Sequence, residues 1–391
     1  MTTRVRLLTQ LFLVTIVMSR ESTTDESTGG RSRRRFLTQA GAAGVVATTG
    51  LSGCLSAIGG GGPPTINVLG WASFSNVIDK IRDQVDAEVE LTTETSTKPM
   101  FTKWNAGQND EFDVTMPNNN YMPRFIDADL VAPLQKDIVT NWSDIYPRYQ
   151  ELAQSQAGRD GEIYGVPQRF GWDSYMYDTR DIPDHEEDLA MMFDEKYSGK
   201  IGSFKQYAKA MGHAALYLGY QDAFKGRKIT LSQEQINNVK ETLKDQASMV
   251  SAYYAAPSQI KELVKGGTFD IGHSYRFVTA QLKMNGNDWA QMAAPKQGAL
   301  TWFETAVVSK ASDNKEQAWE VVNAIIDPEV VAEWLAGVGI ASTNTKTADQ
   351  LSGEKGKYID IKPDRVENMI PYKEIENEDA WVSAWEEVRT S

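Results

Sequence analysis

The chain has 391 residues, 40 of them basic and 53 acidic, giving a net charge of −13 and a pI of about 4.9. Such an acidic surface repels phosphate backbones and anionic lipid, so nucleic acid is excluded as a partner. One cysteine excludes a disulfide framework, and three histidines spread over the chain leave no set with zinc-ligand spacing.

The N-terminus reads as an address. Ser32-Arg33-Arg34-Arg35-Phe36-Leu37 fits the twin-arginine pattern. The Ala40–Gly50 run behind it is too short and too weakly apolar to span a ~30 Å hydrocarbon core. A charged region before a short apolar run belongs to an export signal rather than to a fold. Leu51-Ser52-Gly53-Cys54 fits a lipobox, in which Cys54 takes the lipid. Residues 1–54 are therefore expected to form a twin-arginine lipoprotein signal region, leaving the protein lipid-anchored on the outer face of the cytoplasmic membrane. An earlier apolar run, Leu7–Val17, stands before Met18, which offers an alternative start. Residues 55–65, dense in Gly and Pro, read as a flexible spacer.

Residues 1–54 hold seven of the 40 basic residues and three of the 53 acidic ones, so the remainder carries 33 against 50, a net of −17. That acidity, joined to export of an already folded lipoprotein, points to a haloarchaeal source. Asn141-Trp142-Ser143 is a glycosylation sequon, which argues for a surface position. A body of this length favours two lobes over one enlarged core.

Along the body, Ile66–Trp71 is a short apolar run that reads as a buried strand, and "NVIDKIRDQV" places Val77, Ile78, Ile81 and Val85 on one helical stripe. "AEVELTT" alternates as a strand, and Phe112–Pro117 reads as a third, ending in Asn118-Asn119-Asn120. Strands alternating with helices predict an α/β sheet flanked by helices, with ligands beyond the carboxyl ends of the strands. Tyr164–Arg180 and Thr268–Phe277 also read as strands. Helical stretches surround "KIGSFKQYAKAMGHAALYLGY" and "LSQEQINNVKETLKDQASMV". After the strand "LTWFETAVVSK", Asp313 and Glu316 are placed as a capping box, and Asp327-Pro328 starts a further helix.

Nothing in the chain asks for catalysis. His185, His213 and His273 lie far apart in sequence, and no nucleophile elbow, P-loop or dinucleotide fingerprint is present. No catalytic residue, cofactor or metal is assigned. What the sequence does supply is aromatic residues at predicted strand ends: Trp71, Tyr121, Trp172, Tyr175, Tyr275 and Trp302. Aromatic faces wall ligand clefts and hold cations.

Taken in order, the Trp71–Phe74 aromatic pair, "FDVTMPNNNYMPRFIDADLVAPLQ", "YGVPQRFGWDSYMYD", "GTFDIGHSYRF" and "WFETAVVSKASDNKEQAWEVVNAIIDPEVVAEW" resemble the polyamine-binding branch of the extracellular solute-binding proteins. The resemblance runs from about residue 66 to 350. It implies the two-lobed type II periplasmic-binding-protein fold, with residues 66–168 and 276–327 in the first lobe and 169–275 and 328–391 in the second. It further implies a monomeric receptor that closes on a spermidine- or putrescine-like solute and delivers it to the permease of an ABC importer.

Carried over residue by residue, the resemblance places Trp71, Phe74, Asn118, Asn119, Asn120, Ser258, Tyr275, Trp302 and Glu304 at the ligand. Asp173 and Glu304 are the candidate ammonium partners, and Arg169, Trp172 and Arg276 stand beside them; Arg169 and Arg276 read equally as ligand contacts or as members of structural ion pairs across the hinge. The chain departs from the pattern where the family sets carboxylates: Lys205, Lys209 and Arg276 stand near those positions. An unpaired cation beside a buried polyamine is costly, so a zwitterionic or anionic solute competes with a polyamine. A lipid-anchored hydrolase with an unrecognised carboxylate pair, and a sensory or adhesive module on the same fold, stay open as alternatives.

Overall fold

The computed structural model describes residues 62–351, 354–359 and 364–390. The signal region, Cys54 and the spacer through residue 61 lie outside them. Among the described residues no helix is long and apolar enough to cross a membrane.

Strand β1 (Thr65–Trp71) forms where the sequence places a buried strand, with Ile66, Val68 and Leu69 sealed from solvent. The helical stripe after it shortens to α1 (Ile78–Arg82). Val77, Ile78 and Ile81 are buried, but the chain turns at Asp83 to enter β2 (Glu88–Glu94), and Val85 packs from outside the helix. The third strand is only two residues, β3 (Val114–Thr115), and the asparagines beyond it coil into a short 3-10 turn, Asn119–Tyr121.

Strand β4 (Val166–Asp178) is buried along all 13 residues, which is why it shows no polar alternation. Then come β5 (Ile201–Phe204), α2 (Tyr207–Tyr217), α3 (Gln233–Ala247), β6 (Val250–Tyr254), β7 (Ile271–Tyr275), α4 (Arg276–Met284) and β8 (Ala299–Val308). Helices α5 (Lys315–Ile325), α6 (Pro328–Leu335) and α7 (Glu378–Thr390) follow.

Hydrogen bonding orders the strands β2-β1-β3-β8-β4-β7-β5-β6. The two ends of this path, β1–β3 and β5–β7, are internally parallel. The long strands β4 and β8 join them in antiparallel register. Here the carboxyl ends of both parallel groups open onto the same space.

The helices divide by what they cover. α1 and α5 pack on each other, and α5 covers β1 and β8. α6, read from sequence with the second lobe, packs on α5 and on the turn after β1, where Trp334 meets Phe74 edge-on at 5.1 Å. α7 lies on α2 and α3. α4, read with the first lobe, packs on β4, β7 and the Pro257–Lys265 helix.

The capping box expected from Asp313 and Glu316 does not form. α5 begins after Asn314 with no side-chain cap, and the Asn314 N–H is taken instead by Ser312 Oγ at 3.1 Å. Ser312 is itself held by Asp113 at 2.6 Å, a tertiary partner that local spacing does not reveal. At α6 the sequence signal holds: Asp327 accepts from the N–H groups of Glu329 and Val330.

Candidate functional site

A cavity of about 680 Å³ lies where the carboxyl ends of both parallel groups converge. Trp71 enters it from the end of β1, Asn118 and Asn120 from the loop after β3, and Lys209 from the first turn of α2. Tyr275 closes β7, and Trp302 and Glu304 project from β8. Tyr372 arrives from the C-terminal segment, just after the short strand Met369–Pro371.

Glu304 does not stand free in this wall. It is the register partner of Arg169 across β4 and β8. The guanidinium forks onto both carboxylate oxygens, Nε to Oε2 at 2.5 Å and Nη2 to Oε1 at 3.0 Å. Both side chains are more than nine-tenths buried. Burial pushes the Glu304 carboxyl up, and Arg169 offsets part of that rise. The Arg169 guanidinium also lies 4.3 Å from the Trp334 ring and 6.0 Å from Trp71.

The second carboxylate, Asp173, is fully buried, and the Lys209 ammonium bonds to its Oδ2. Tyr372 donates its hydroxyl to the same oxygen at 2.9 Å. The Lys209 ammonium sits 4.3 Å from the Tyr275 ring, 5.2 Å from Tyr372 and 5.4 Å from Phe204, so three aromatic rings and a carboxylate enclose it.

Behind this box lies a histidine pair. His213 on α2 bonds through Nε2 to the Asp173 carbonyl at 2.9 Å and stacks on His273 of β7 at 4.8 Å. His273 Nδ1 meets Ser203 Oγ at 3.2 Å, and Phe204 stacks on its ring at 5.3 Å. Both imidazoles are buried, which holds their pKa values below the ordinary histidine value, His273 well below. Two histidines 60 positions apart in the chain thus meet in space, because α2 packs against the centre of the sheet. Among the described residues no three His, Cys, Asp or Glu side chains gather to hold a metal.

Of the residues singled out from sequence, Trp71, Asn118, Asn119, Asn120, Tyr275, Trp302 and Glu304 reach the cavity. Asn119 is wholly buried and acts as a tie: its Nδ2 donates to the Tyr372 carbonyl at 2.7 Å and its Oδ1 accepts from the Phe303 N–H at 3.1 Å. Arg169 and Asp173 lie behind the wall and act on it through Glu304 and Lys209.

Four expected ligand contacts are not brought there. Phe74 is fully buried against Trp334. Trp172 is buried and gives its indole N–H to the Ala293 carbonyl at 3.2 Å. Arg276 donates to the carbonyls of Gly339 and Tyr358, and its guanidinium lies 5.5 Å from the Trp172 ring. Ser258 is exposed on the Pro257–Lys265 helix. Lys205, one of the cations noted beside the family pattern, is exposed and does not line the cavity. Conversely Gln206, Tyr207, Tyr372, Glu374 and Glu378 line the cavity without having been singled out.

Gly171 shows how closely the wall is set. It pairs with Trp302 across β4 and β8, and a Cβ at this position would lie 2.6 Å from Trp302 Cζ2. Gly171→Ala is therefore expected to push the indole into the cavity. Overpacking of this kind costs about 1–3 kcal/mol, read by denaturant unfolding. Titration with the solute that binds the wild type is expected to show affinity falling at least tenfold. An unchanged affinity would take Trp302 out of the binding wall.

Comparison with known proteins adds ancestry to this geometry. The family described as bacterial extracellular solute-binding protein matches residues 76–360. The putrescine-binding periplasmic protein SpuD of Pseudomonas aeruginosa (strain UCBPP-PA14) is 22% identical over 287 residues, covering 68% of this chain and 75% of its own. Among solved structures, the spermidine/putrescine ABC transporter substrate-binding protein PotD from Streptococcus pneumoniae aligns with a TM-score of 0.69 at 18% identity, over 84% of this chain and 98% of that one. The Tp0655 (TpPotD) lipoprotein of Treponema pallidum aligns with a TM-score of 0.67 at 14% identity, over 84% and 100%.

Proposed function

Because the chain belongs to the bacterial extracellular solute-binding proteins, we propose that it is the solute receptor of an ABC importer, closing its lobes on a small organic molecule and presenting it to a membrane permease. Family members bind solutes and carry out no covalent chemistry, and the chain is read as a binder, not an enzyme. The observation that carries the reading is the aromatic cavity at the convergent carboxyl ends of two parallel strand groups, bridged by two long strands. Such a layout suits hinge closure around a ligand.

The solute class follows from the relatives and from the wall together. The relatives' names point to polyamines, while the paired state of Glu304 and Asp173 favours a zwitterionic or anionic molecule. The packing supports a first lobe built on β1–β3 with α1, α5 and α6, and a second on β5–β7 with α2, α3 and α7. Export by the twin-arginine route, lipid attachment at Cys54 and a monomeric receptor complete the proposal. A relative in fold that is a lipoprotein supports the anchor.

The test is a thermal-shift screen of the full-length protein against putrescine, spermidine, amino acids, dicarboxylates and phosphorylated compounds. A solute at a hundred times its Kd is expected to stabilise the folded state by about 2.7 kcal/mol. Trp71→Ala is expected to weaken that solute at least tenfold while leaving the circular dichroism spectrum unchanged. Turnover of a bound compound would move the protein to the hydrolase reading.

A further inference from the structure

Resting on the receptor reading, we propose that Lys209 is a tethered ammonium filling this receptor's own cation box, so that the cavity selects a solute carrying one carboxylate and one amine over a diamine. The box has what an ammonium requires: a buried carboxylate from Asp173 and the rings of Tyr275 and Tyr372 at 4.3 and 5.2 Å. It is occupied from within, because the first turn of α2 brings Lys209 to the cavity wall.

The second deep carboxylate is closed in the same way. Both oxygens of Glu304 are engaged by Arg169. Each acidic group at the inner wall thus already has a cation from this chain. An ammonium entering there meets Lys209, and the one oxygen of these two carboxylates without a partner, Asp173 Oδ1, is buried out of its reach.

The remaining polar atoms have an order. Lys209 has donors beyond the one it gives Asp173. Those donors call for an acceptor, which a carboxylate supplies and a diamine lacks.

One acidic group of the lining is left uncompensated. Glu378, exposed at the rim, accepts the Tyr207 hydroxyl and pairs with no cation among the described residues. Glu374 is paired with Arg124 at 3.2 Å. A solute with its carboxylate toward Lys209 and its amine toward Glu378 matches this polarity, and a diamine matches only one end.

The test compares putrescine with 4-aminobutanoate, a probe of the same carbon count with one aminomethyl end replaced by a carboxylate, by calorimetric titration of the full-length protein. The wild type is expected to bind 4-aminobutanoate at least tenfold more tightly than putrescine. Lys209→Met empties the box, and the preference is expected to reverse. Because that variant leaves Asp173 buried without its cation, Lys209→Met/Asp173→Asn serves as a charge-neutral second variant, expected to fold and to bind both probes at least tenfold more weakly than the preferred pairing. Wild type preferring putrescine, or a ratio unmoved by Lys209→Met, overturns the inference and leaves the receptor reading standing. Absence of binding by either probe overturns the inference alone if another solute of the wider screen binds, and the receptor reading with it if none does.

Discussion

Replacing Arg169 with methionine is expected to cost about 3–5 kcal/mol of folding stability, the range for stranding one member of a buried ion pair. Glu304 is 93% buried, and among the described residues no other cation pairs with its oxygens. With Arg169 gone it must protonate or carry an uncompensated charge, and either route costs free energy. The loss should appear as a lower denaturant midpoint with an unchanged slope. Arg169→Met/Glu304→Gln removes both charges and should recover most of it, because isosteric replacement of a whole buried pair is often near neutral. A single variant losing under about 1 kcal/mol, the size of an exposed pair, would show that the charge is not held in the way the geometry indicates. The pair also has a positional role, since it ties β4 to β8, the two strands that join the parallel groups of the sheet.

That pairing leaves no signal in the local sequence. β4 reads plainly as a buried strand, and its two internal charges, Arg169 and Asp173, signal in advance that partners must exist. The partners lie 135 and 36 positions away, at Glu304 and Lys209, and no periodicity links them. Sequence therefore placed Glu304 and Asp173 as ligand carboxylates when both are already engaged. Trp71, Asn118, Asn120, Tyr275 and Trp302 were legible because strand ends of an α/β sheet converge on one rim. Tyr372 was not, since the strand before it is three residues long.

The same contrast holds for the fold. β1 announces itself by a short apolar run and β2 by alternation. β5 and β6 are four and five residues long and sit beside α2 and α3, whose stronger helical periodicity absorbed them. The failed cap at α5 and the working cap at α6 differ for one reason. Asp327 is bonded only within its own turn, whereas Ser312 is fixed by Asp113, almost two hundred positions earlier.

Acid should destabilise the fold through the His213–His273 stack before the ordinary carboxylates titrate. Unfolded, each imidazole takes its proton near pH 6.5. Folded, burial lowers both values, and for His273 the neighbouring His213 lowers it further. The unfolded chain then binds more protons below about pH 6.5, so stability rises with pH across that window. It is intact above about pH 6.5 and is lost as pH falls toward the folded values, by about 1.4 kcal/mol for each unit of separation. The groups around the pair decide how far. Asp173 favours the charged form of His213, and Lys209, on the same helix, opposes it. Ser203, Phe204 and Tyr254 bring no charge to His273. Glu304, whose carboxyl is raised by burial, works with the opposite sign, as one group against two. Urea unfolding from pH 7.5 down to 5 should therefore show a falling free energy, and His273→Phe should flatten it by removing the more depressed imidazole. A flat profile in the wild type, or an equal slope in the variant, would mean that the stack accepts protons as readily folded as unfolded.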